Sequence, residues 1–138
     1  MAALAAARNT KERAGEVFGF PVVASDIVYQ GSLVALSAGY AAPGATGTGL
    51  VAIGRAEETV DNSTGSAGAV SVRVKRGVFQ FGNSSDGDAI AQADVGADCY
   101  IVDDQTVAKT SGTNTRSVAG KIVAVDSGGV WVQIGLGL

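Results

Sequence analysis

The strongest pattern in the chain lies in residues 99–138, where short Val- and Ile-rich runs alternate with clusters of Asp, Gly, Ser, Thr and Asn. This pattern is typical of consecutive β-strands joined by turns. Asp103-Asp104-Gln105 predicts a hairpin turn, because Asp side chains bond to nearby backbone. In the last predicted strand Val130, Val132 and Ile134 share one face, and Trp131 lies on the opposite face. The segment predicts a β-scaffold and contains no recognisable reaction centre.

Residues 69–75 show the cleanest alternation of apolar and polar positions, with Val70, Val72 and Val74 on one face and polar side chains on the other. One buried and one solvated face is typical of an antiparallel sheet. Beyond Gly77 the parity of the apolar positions changes, which predicts a bulge or a sharp bend there. Phe79 and Phe81 then become core candidates.

Further strands are predicted along the first half of the chain, and the first of them is expected at a sheet edge because Pro21 cannot donate to a β-ladder. Between these strands we expect polar or glycine-rich loops and a single helical turn. The predicted strands are 17–23, 27–29, 33–36, 50–57 and 69–75, the loops are 42–49, 61–68 and 83–88, and the helical turn is 89–93.

The fold class predicted from these patterns is all-β, a small antiparallel β-sandwich or β-barrel. Residues 17–138 are expected to form a single β domain. A faint internal similarity, in which Gly31–Leu36 resembles Gly96–Ile101 and Gly54-Arg55 resembles Gly120-Lys121, suggests two related β-units at about 31–74 and 96–134, joined by residues 75–95. The alternative is that short β-meanders resemble one another by chance.

Residues 1–16 differ from the rest of the chain and are expected to form an extended or partly helical N-terminal arm. They contain Arg8, Lys11 and Arg13, three of the ten basic residues. An isolated helix of this length is marginal in water. An arm that becomes ordered against a partner and a frayed tail without function both agree with the sequence. The apolar start, only seven residues long, is too short to span a membrane, so we expect no membrane association.

Composition narrows the possible functions. The net charge of −3 argues against a nucleic-acid partner. Apolar residues are mostly Ala and Val, and twenty glycines add backbone entropy that folding must overcome, so we expect modest stability or support from an oligomer. The single cysteine, Cys99, is expected to be a small buried hydrophobic residue.

No residue pattern in the sequence predicts a catalytic or metal-binding site. The sequence has no histidine, which excludes His-based triads and His-ligated zinc or haem. Asp86, Asp88 and Asp94 form the densest carboxylate cluster, but their spacing does not match a calcium loop. Serine–lysine chemistry stays formally open at Lys109 with Ser111 and at Ser117 with Lys121, at a spacing that occurs everywhere by chance. We therefore expect no enzyme activity, no catalytic residues, no cofactor and no metal site.

Three segments nevertheless resemble a known family. The segments VGADCYIVDDQTVAK (95–109), RSVAGKIVAVDSGGVWV (116–132) and VKRGVFQF (74–81) are similar in pattern to small head proteins of tailed bacteriophages, the capsid decoration or cement proteins. The resemblance covers residues 17–138 and does not include the arm.

The resemblance implies a protein on the outer surface of the virion, made in the host cytoplasm. Its partner would be the major capsid protein, which it would bind where subunits meet, stabilising the shell against internal DNA pressure. Members of this class are mostly β and often trimeric or dimeric, so we expect a homotrimer, with a dimer as the alternative. From their charge, Arg8, Lys11 and Arg13 are the candidate capsid contacts.

Two other functions remain open. The first is a tail, baseplate or adhesin-type β-module that binds a ligand or glycan, which would need an exposed aromatic platform from Trp131 or the tyrosines. The second is an enzyme with Ser–Lys or carboxylate chemistry, which would need a concave pocket with convergent polar groups.

Overall fold

In a computed structural model that describes residues 2–137, the regular secondary structure is almost entirely β-strand, which confirms the all-β prediction. Two 3₁₀ turns are the only helical elements in that range. The strands are β1 Val17–Pro21, β2 Asp26–Val28, β3 Leu33–Ser37, β4 Tyr40–Pro43, β5 Val51–Ala56, β6 Val60–Asn62, β7 Ser71–Lys75, β8 Gly77–Asn83, β9 Asp98–Ile101, β10 Thr106–Ala108, β11 Val118–Asp126 and β12 Gly129–Ile134.

The strands form two units that follow each other along the chain. Unit 1 contains β1 to β7, with a five-stranded sheet in the order β1-β7-β5-β3-β4 and a separate β2–β6 pair. Unit 2 contains β8 to β12, which close into a barrel in the order β10-β8-β12-β11-β9.

The two units share their strand order and their pairing. The five-stranded sheet of unit 1, β1-β7-β5-β3-β4, matches the strands β8-β12-β11-β9-β10 of unit 2. Every antiparallel pair among these five strands of one unit has its counterpart in the other. The barrel closes through a parallel pairing that joins Val107 to Asn83. In unit 1 the matching place holds a parallel bridge between Val22 and Ala41. Both units are therefore versions of one five-stranded arrangement.

The correspondence extends to a shared irregularity. Val34 pairs with Gly54, and the register then shifts by one residue; Cys99 pairs with Gly120, and the register shifts at the same place. At both glycines a Cβ atom would lie 2.1 Å from a carbonyl oxygen of the next strand, that of Lys75 or of Gln133. Only glycine allows this close approach.

Each unit is larger than the sequence comparison suggested. Unit 1 begins with β1 and unit 2 with β8, so part of the expected connection at 75–95 is a barrel strand. The strand ladders align Val17-Phe18-Gly19-Phe20 with Val78-Phe79-Gln80-Phe81. They also align Ser71–Lys75 with the first five residues of β12.

One sheet face of unit 1 packs against unit 2. Along β3, Val34 is buried in the core of unit 1, whereas Leu33 and Ala35 belong to the core cluster of unit 2. Leu50 and Ala52 pack against the same cluster. Burial of alternate residues in two different cores makes β3 the strand that joins the units.

Several local predictions need correction. Residues 40–43 and 60–62 form β4 and β6, although they were expected to lie in or beside loops. Both strands are short, and Pro43 and Asn62 are residue types that usually mark turns. The helical turn expected at 89–93 is replaced by turns at Asp86–Asp88 and Gln92–Asp94, because Ile90 is buried in the barrel core between them.

Other local predictions hold. The first strand lies at the edge of its sheet, and Gly77, with φ of 156°, marks the bend where the chain passes from unit 1 to unit 2. Phe81 is buried and Phe79 partly buried. Val72 and Val74 are buried, but Val70 precedes β7 and is exposed. In the arm, residues 2–14 form neither helix nor strand, so the partly helical form is not seen.

Candidate functional site

The arm leaves the body at β1 with little contact to it. The Arg76 backbone N–H donates to the Glu16 carbonyl oxygen at 2.9 Å, and the Arg13 guanidinium lies 5.6 Å from the centre of the Phe18 ring. All of residues 2–14 are exposed, and the Leu4 side chain is 73% exposed. The three candidate contact residues therefore share one exposed segment, and only Arg13 contacts the folded body.

Basic residues of the body, by contrast, are mostly paired. Within residues 2–137, five salt bridges involve body residues only, whereas Arg8, Lys11 and Arg13 form none. The five pairs are Arg55–Glu57, Arg73–Glu58, Lys109–Asp94, Arg116–Asp88 and Lys121–Asp98. Positive charge that is free to meet a partner is thus concentrated in the arm.

The carboxylates at 86–94 serve local structure. Asp88 accepts a hydrogen bond from the Thr110 hydroxyl and lies 3.2 Å from Arg116, and these contacts lower its pKa. Asp94 accepts from the Ala91 backbone N–H and pairs with Lys109. Among the described residues, no group of three possible ligands is arranged to hold a metal ion.

The serine–lysine pairs are not brought together as nucleophile and base. The Ser117 hydroxyl donates to the Gly47 carbonyl oxygen at 2.8 Å and accepts from the Leu50 backbone N–H at 3.0 Å, which ties unit 2 to unit 1. Lys121 is held by Asp98 at 2.7 Å. Ser117 instead borders an open cleft of about 490 Å³ between β5 and β11, lined mainly by small and apolar residues.

A second pocket, which we call the junction pocket, lies where the two units meet. It has a volume of about 210 Å³ and is lined by Tyr29, Gln30, Gly31 and Ser32 from unit 1 and by Asp104 and Gln105 from unit 2. Ser32 is only 6% exposed, and its hydroxyl has no hydrogen-bond partner among the described residues. Burial, with the nearby charges of Asp103 and Asp26, raises the pKa of Asp104.

Sequence reasoning missed this pocket and assigned Asp103-Asp104-Gln105 to a turn alone. The turn is present between β9 and β10. Nothing in the sequence pattern links it to residues 29–32, which lie about seventy positions earlier.

Trp131 lies on the outer face of the barrel and is 36% exposed. Its indole N–H donates to Asp126 at 2.9 Å, and Asp126 also accepts from the Gly128 backbone and the Gln80 side chain. These hydrogen bonds lower the pKa of Asp126. An aromatic ring edged by polar groups is the kind of surface that the glycan-binding alternative requires.

Cys99 is buried, as expected, inside unit 2. Its Sγ lies 3.6 Å from the Gly120 carbonyl oxygen, and burial raises the pKa of the thiol to about 12. A thiol with so high a pKa is a poor nucleophile at neutral pH.

Comparison of the chain with protein-family models, with curated proteins and with solved structures finds no match. Over residues 2–137 there is no helix with the length and apolar character needed to cross a membrane. Function is therefore inferred from the residues of this chain.

Proposed function

We propose that the protein is a phage head decoration protein that binds the outer surface of the capsid at subunit junctions and stabilises the shell. The observation that carries the proposal is the arm, whose described residues up to 14 are all exposed and whose Arg8 and Lys11 pair with nothing in residues 2–137. The resemblance of residues 17–138 to cement proteins supports the same function.

The body suits a clamp because it is tied together across its two units. Leu33, Ala35 and the Ser117 hydroxyl all connect unit 1 to unit 2, so the body presents its surfaces in a fixed arrangement. The partner is the major capsid protein, and the assembly is a homotrimer, with a dimer as the alternative. Several weak contacts made by one oligomer add to a firm attachment. The location is the outer surface of the virion, after synthesis in the host cytoplasm, with no nucleic-acid or membrane partner.

The test uses purified heads of the phage that encodes the chain, prepared without this protein. Full-length protein, a variant lacking residues 1–16 and an Arg8→Gln, Lys11→Gln, Arg13→Gln variant are added to the heads, and occupancy is measured by sedimentation and electron microscopy. A matched control removes three basic side chains from the body by Lys75→Gln, Lys109→Gln and Lys121→Gln. We expect both arm variants to lose occupancy and the control to keep it. Full occupancy without the arm would refute the role of the arm, and no binding by the full-length protein would refute the capsid function.

A second function is favoured by one observation, the partial exposure of Trp131 beside Gln80 and Asp126. In this alternative the protein is a tail, baseplate or adhesin-type module that stacks a sugar on the indole ring. Titration with host-surface polysaccharide would change Trp131 fluorescence, and Trp131→Ala would abolish binding. An unchanged emission spectrum at saturating polysaccharide would reject this function.

A further inference from the structure

The junction pocket concentrates negative charge that no residue of the described chain neutralises. Asp104 lines the pocket, and Asp103 and Asp26 lie near enough to perturb its titration. None of these three carboxylates forms a salt bridge within residues 2–137. The Asp104 backbone is fixed, because its carbonyl oxygen accepts a hydrogen bond from the Leu33 N–H at 2.8 Å.

Two further features indicate that the pocket receives a ligand. Ser32 lines the pocket, is more than nine-tenths buried, and has a hydroxyl without a hydrogen-bond partner in residues 2–137. Such a group costs free energy unless something bonds to it. Tyr29 is 57% exposed at the same pocket, although it is large and partly apolar. A carboxylate, a hydroxyl acceptor and an aromatic ring together suit an ammonium or guanidinium group.

The arm supplies such groups in a form that matches the pocket. Arg8 and Lys11 are exposed and form no salt bridge with any described residue, whereas Arg13 already lies over Phe18. Arg8 and Lys11 precede Val17, the first residue of β1, by nine and six positions, so they can extend roughly 20–30 Å from the body.

The register of unit 1 directs the arm away from the pocket of its own chain. Val17, Lys75, Arg55 and Leu33 form one row across four strands. The strand β1 runs from this row toward the side on which Ser32 lies, since Ser32 pairs with Ala56 one step beyond the row. The arm precedes Val17 and therefore joins β1 on the opposite side, where the Glu16 carbonyl oxygen accepts a hydrogen bond from the Arg76 N–H. Its exposed residues are available to a neighbouring molecule.

We propose that the junction pocket of one molecule binds the Arg8 or Lys11 side chain from the N-terminal arm of a second copy of this chain. The cation would lie beside Asp104 and the Tyr29 ring, and a rotation of the Ser32 side chain would bring its buried hydroxyl within hydrogen-bond reach of the cation. This contact needs only two copies of the same protein, so it forms without a capsid. It uses one of the three basic side chains of the arm and leaves the other two for the capsid surface.

The test is a cross-linking experiment between two differently tagged full-length variants. One carries Asn9→Cys, between the two basic residues, and the other carries Gln105→Cys at the pocket. The native Cys99 does not interfere, because it is buried. A disulfide requires Cα atoms within about 7 Å, so its formation reports close approach. The matched control replaces Gln105→Cys by Ser127→Cys, an exposed residue in the β11–β12 turn.

We expect the Asn9→Cys and Gln105→Cys pair to cross-link between molecules and the control pair to do so at least about tenfold more slowly, given that a charge-assisted hydrogen bond contributes about 1.5–3 kcal/mol. Asp103→Asn with Asp104→Asn should slow the cross-link similarly, and so should Arg8→Gln with Lys11→Gln, which changes only exposed arm residues. Raising the salt to about 1 M, where the Debye length falls to about 3 Å, should also slow the cross-link between the unsubstituted arm and pocket charges.

Three results would overturn the proposal. The first is an equal rate for the control pair, and the second is a cross-link that survives removal of the arm charges. The third is a cross-link that forms only within one chain, in a variant that carries both Asn9→Cys and Gln105→Cys. Because no phage heads are used, failure here is distinguishable from failure of the capsid function.

Discussion

Leu33 offers a direct test of how the two units are held together, because the internal correspondence provides its own control. Leu33 is fully buried and belongs to the core of unit 2, although it lies on a strand of unit 1. The matching position of unit 2 is Asp98, which lies at the surface in a salt bridge with Lys121. The perturbation is Leu33→Ala, with Asp98→Ala as the matched variant.

The expected loss can be worked out from the packing around Leu33. Burial of this kind gives about 3–5 kcal/mol for Leu→Ala, and the loss is larger where the site cannot collapse. Here it cannot, since the Leu33 N–H donates to Asp104 and its carbonyl oxygen accepts from Gly44, both at 2.8 Å. A Cβ on Gly44 would lie only 2.9 Å from the Leu33 side chain, so the contact is already close. We therefore expect the upper half of the range for Leu33→Ala.

Asp98→Ala removes only an exposed ion pair, which contributes about 0–1 kcal/mol. The assay is equilibrium urea unfolding, followed by Trp131 fluorescence in unit 2 and by far-ultraviolet circular dichroism for the whole fold. With a slope of about 1.5–2 kcal/mol per molar urea, Leu33→Ala should lower the midpoint by roughly 2–3 M. A loss below about 1 kcal/mol for Leu33→Ala, equal to that for Asp98→Ala, would refute the packing of unit 1 on unit 2.

Two further results are expected. Gly54→Ala and Gly120→Ala should each destabilise the fold by about 1–3 kcal/mol or more in the same urea assay, because the new Cβ would overlap a carbonyl oxygen of the next strand. Gly19→Ala, where a Cβ meets nothing within 4 Å, should change the free energy of unfolding by less than about 1 kcal/mol, and equal effects at the three glycines would contradict this explanation. The pKa of Asp126 is lowered in the folded protein, so the stability that this carboxylate contributes is present above the ordinary pKa range of Asp and is lost as the pH falls through the folded-state pKa. Trp131 fluorescence should therefore change with a midpoint below about pH 3.9, and Asp126→Asn should remove the transition. A midpoint at or above about pH 3.9 would contradict the assignment.

Much of the strand pattern could be predicted because alternation records which face is buried. Val72 and Val74 illustrate this, since a half-buried strand requires a period of two. The same logic failed at β4 and β6, which are too short to show a period. A period of two also does not reveal the role of β3. Leu33, Val34 and Ala35 are consecutive apolar residues because the two faces of the strand enter different cores.

The candidate sites were less accessible to sequence reasoning. The arm was visible because its composition differs from that of the rest of the chain. The junction pocket was not, because Tyr29, Ser32 and Asp104 meet only after the two units pack together. The equivalence of β1 with β8 had a readable signal in Val-Phe-Gly-Phe (17–20) and Val-Phe-Gln-Phe (78–81). Both segments lie outside the two related β-units predicted at 31–74 and 96–134.

The two units differ on the outward face of one strand, and this difference explains why association between copies of the chain should use the arm. In unit 1 the outward face of β3 is apolar, with Leu33 and Ala35, and unit 2 covers it. In unit 2 the matching positions on β9 are Asp98 and Tyr100, and Asp98 pairs with Lys121 at the surface. Covering that face with another copy would remove an ion pair from water, at a cost of several kcal/mol per ion before any attraction is recovered. Packing a further copy on unit 2 in the way that unit 2 packs on unit 1 is therefore unfavourable, and an oligomer of this chain needs a different contact. The proposed contact between the basic arm and the junction pocket would provide one.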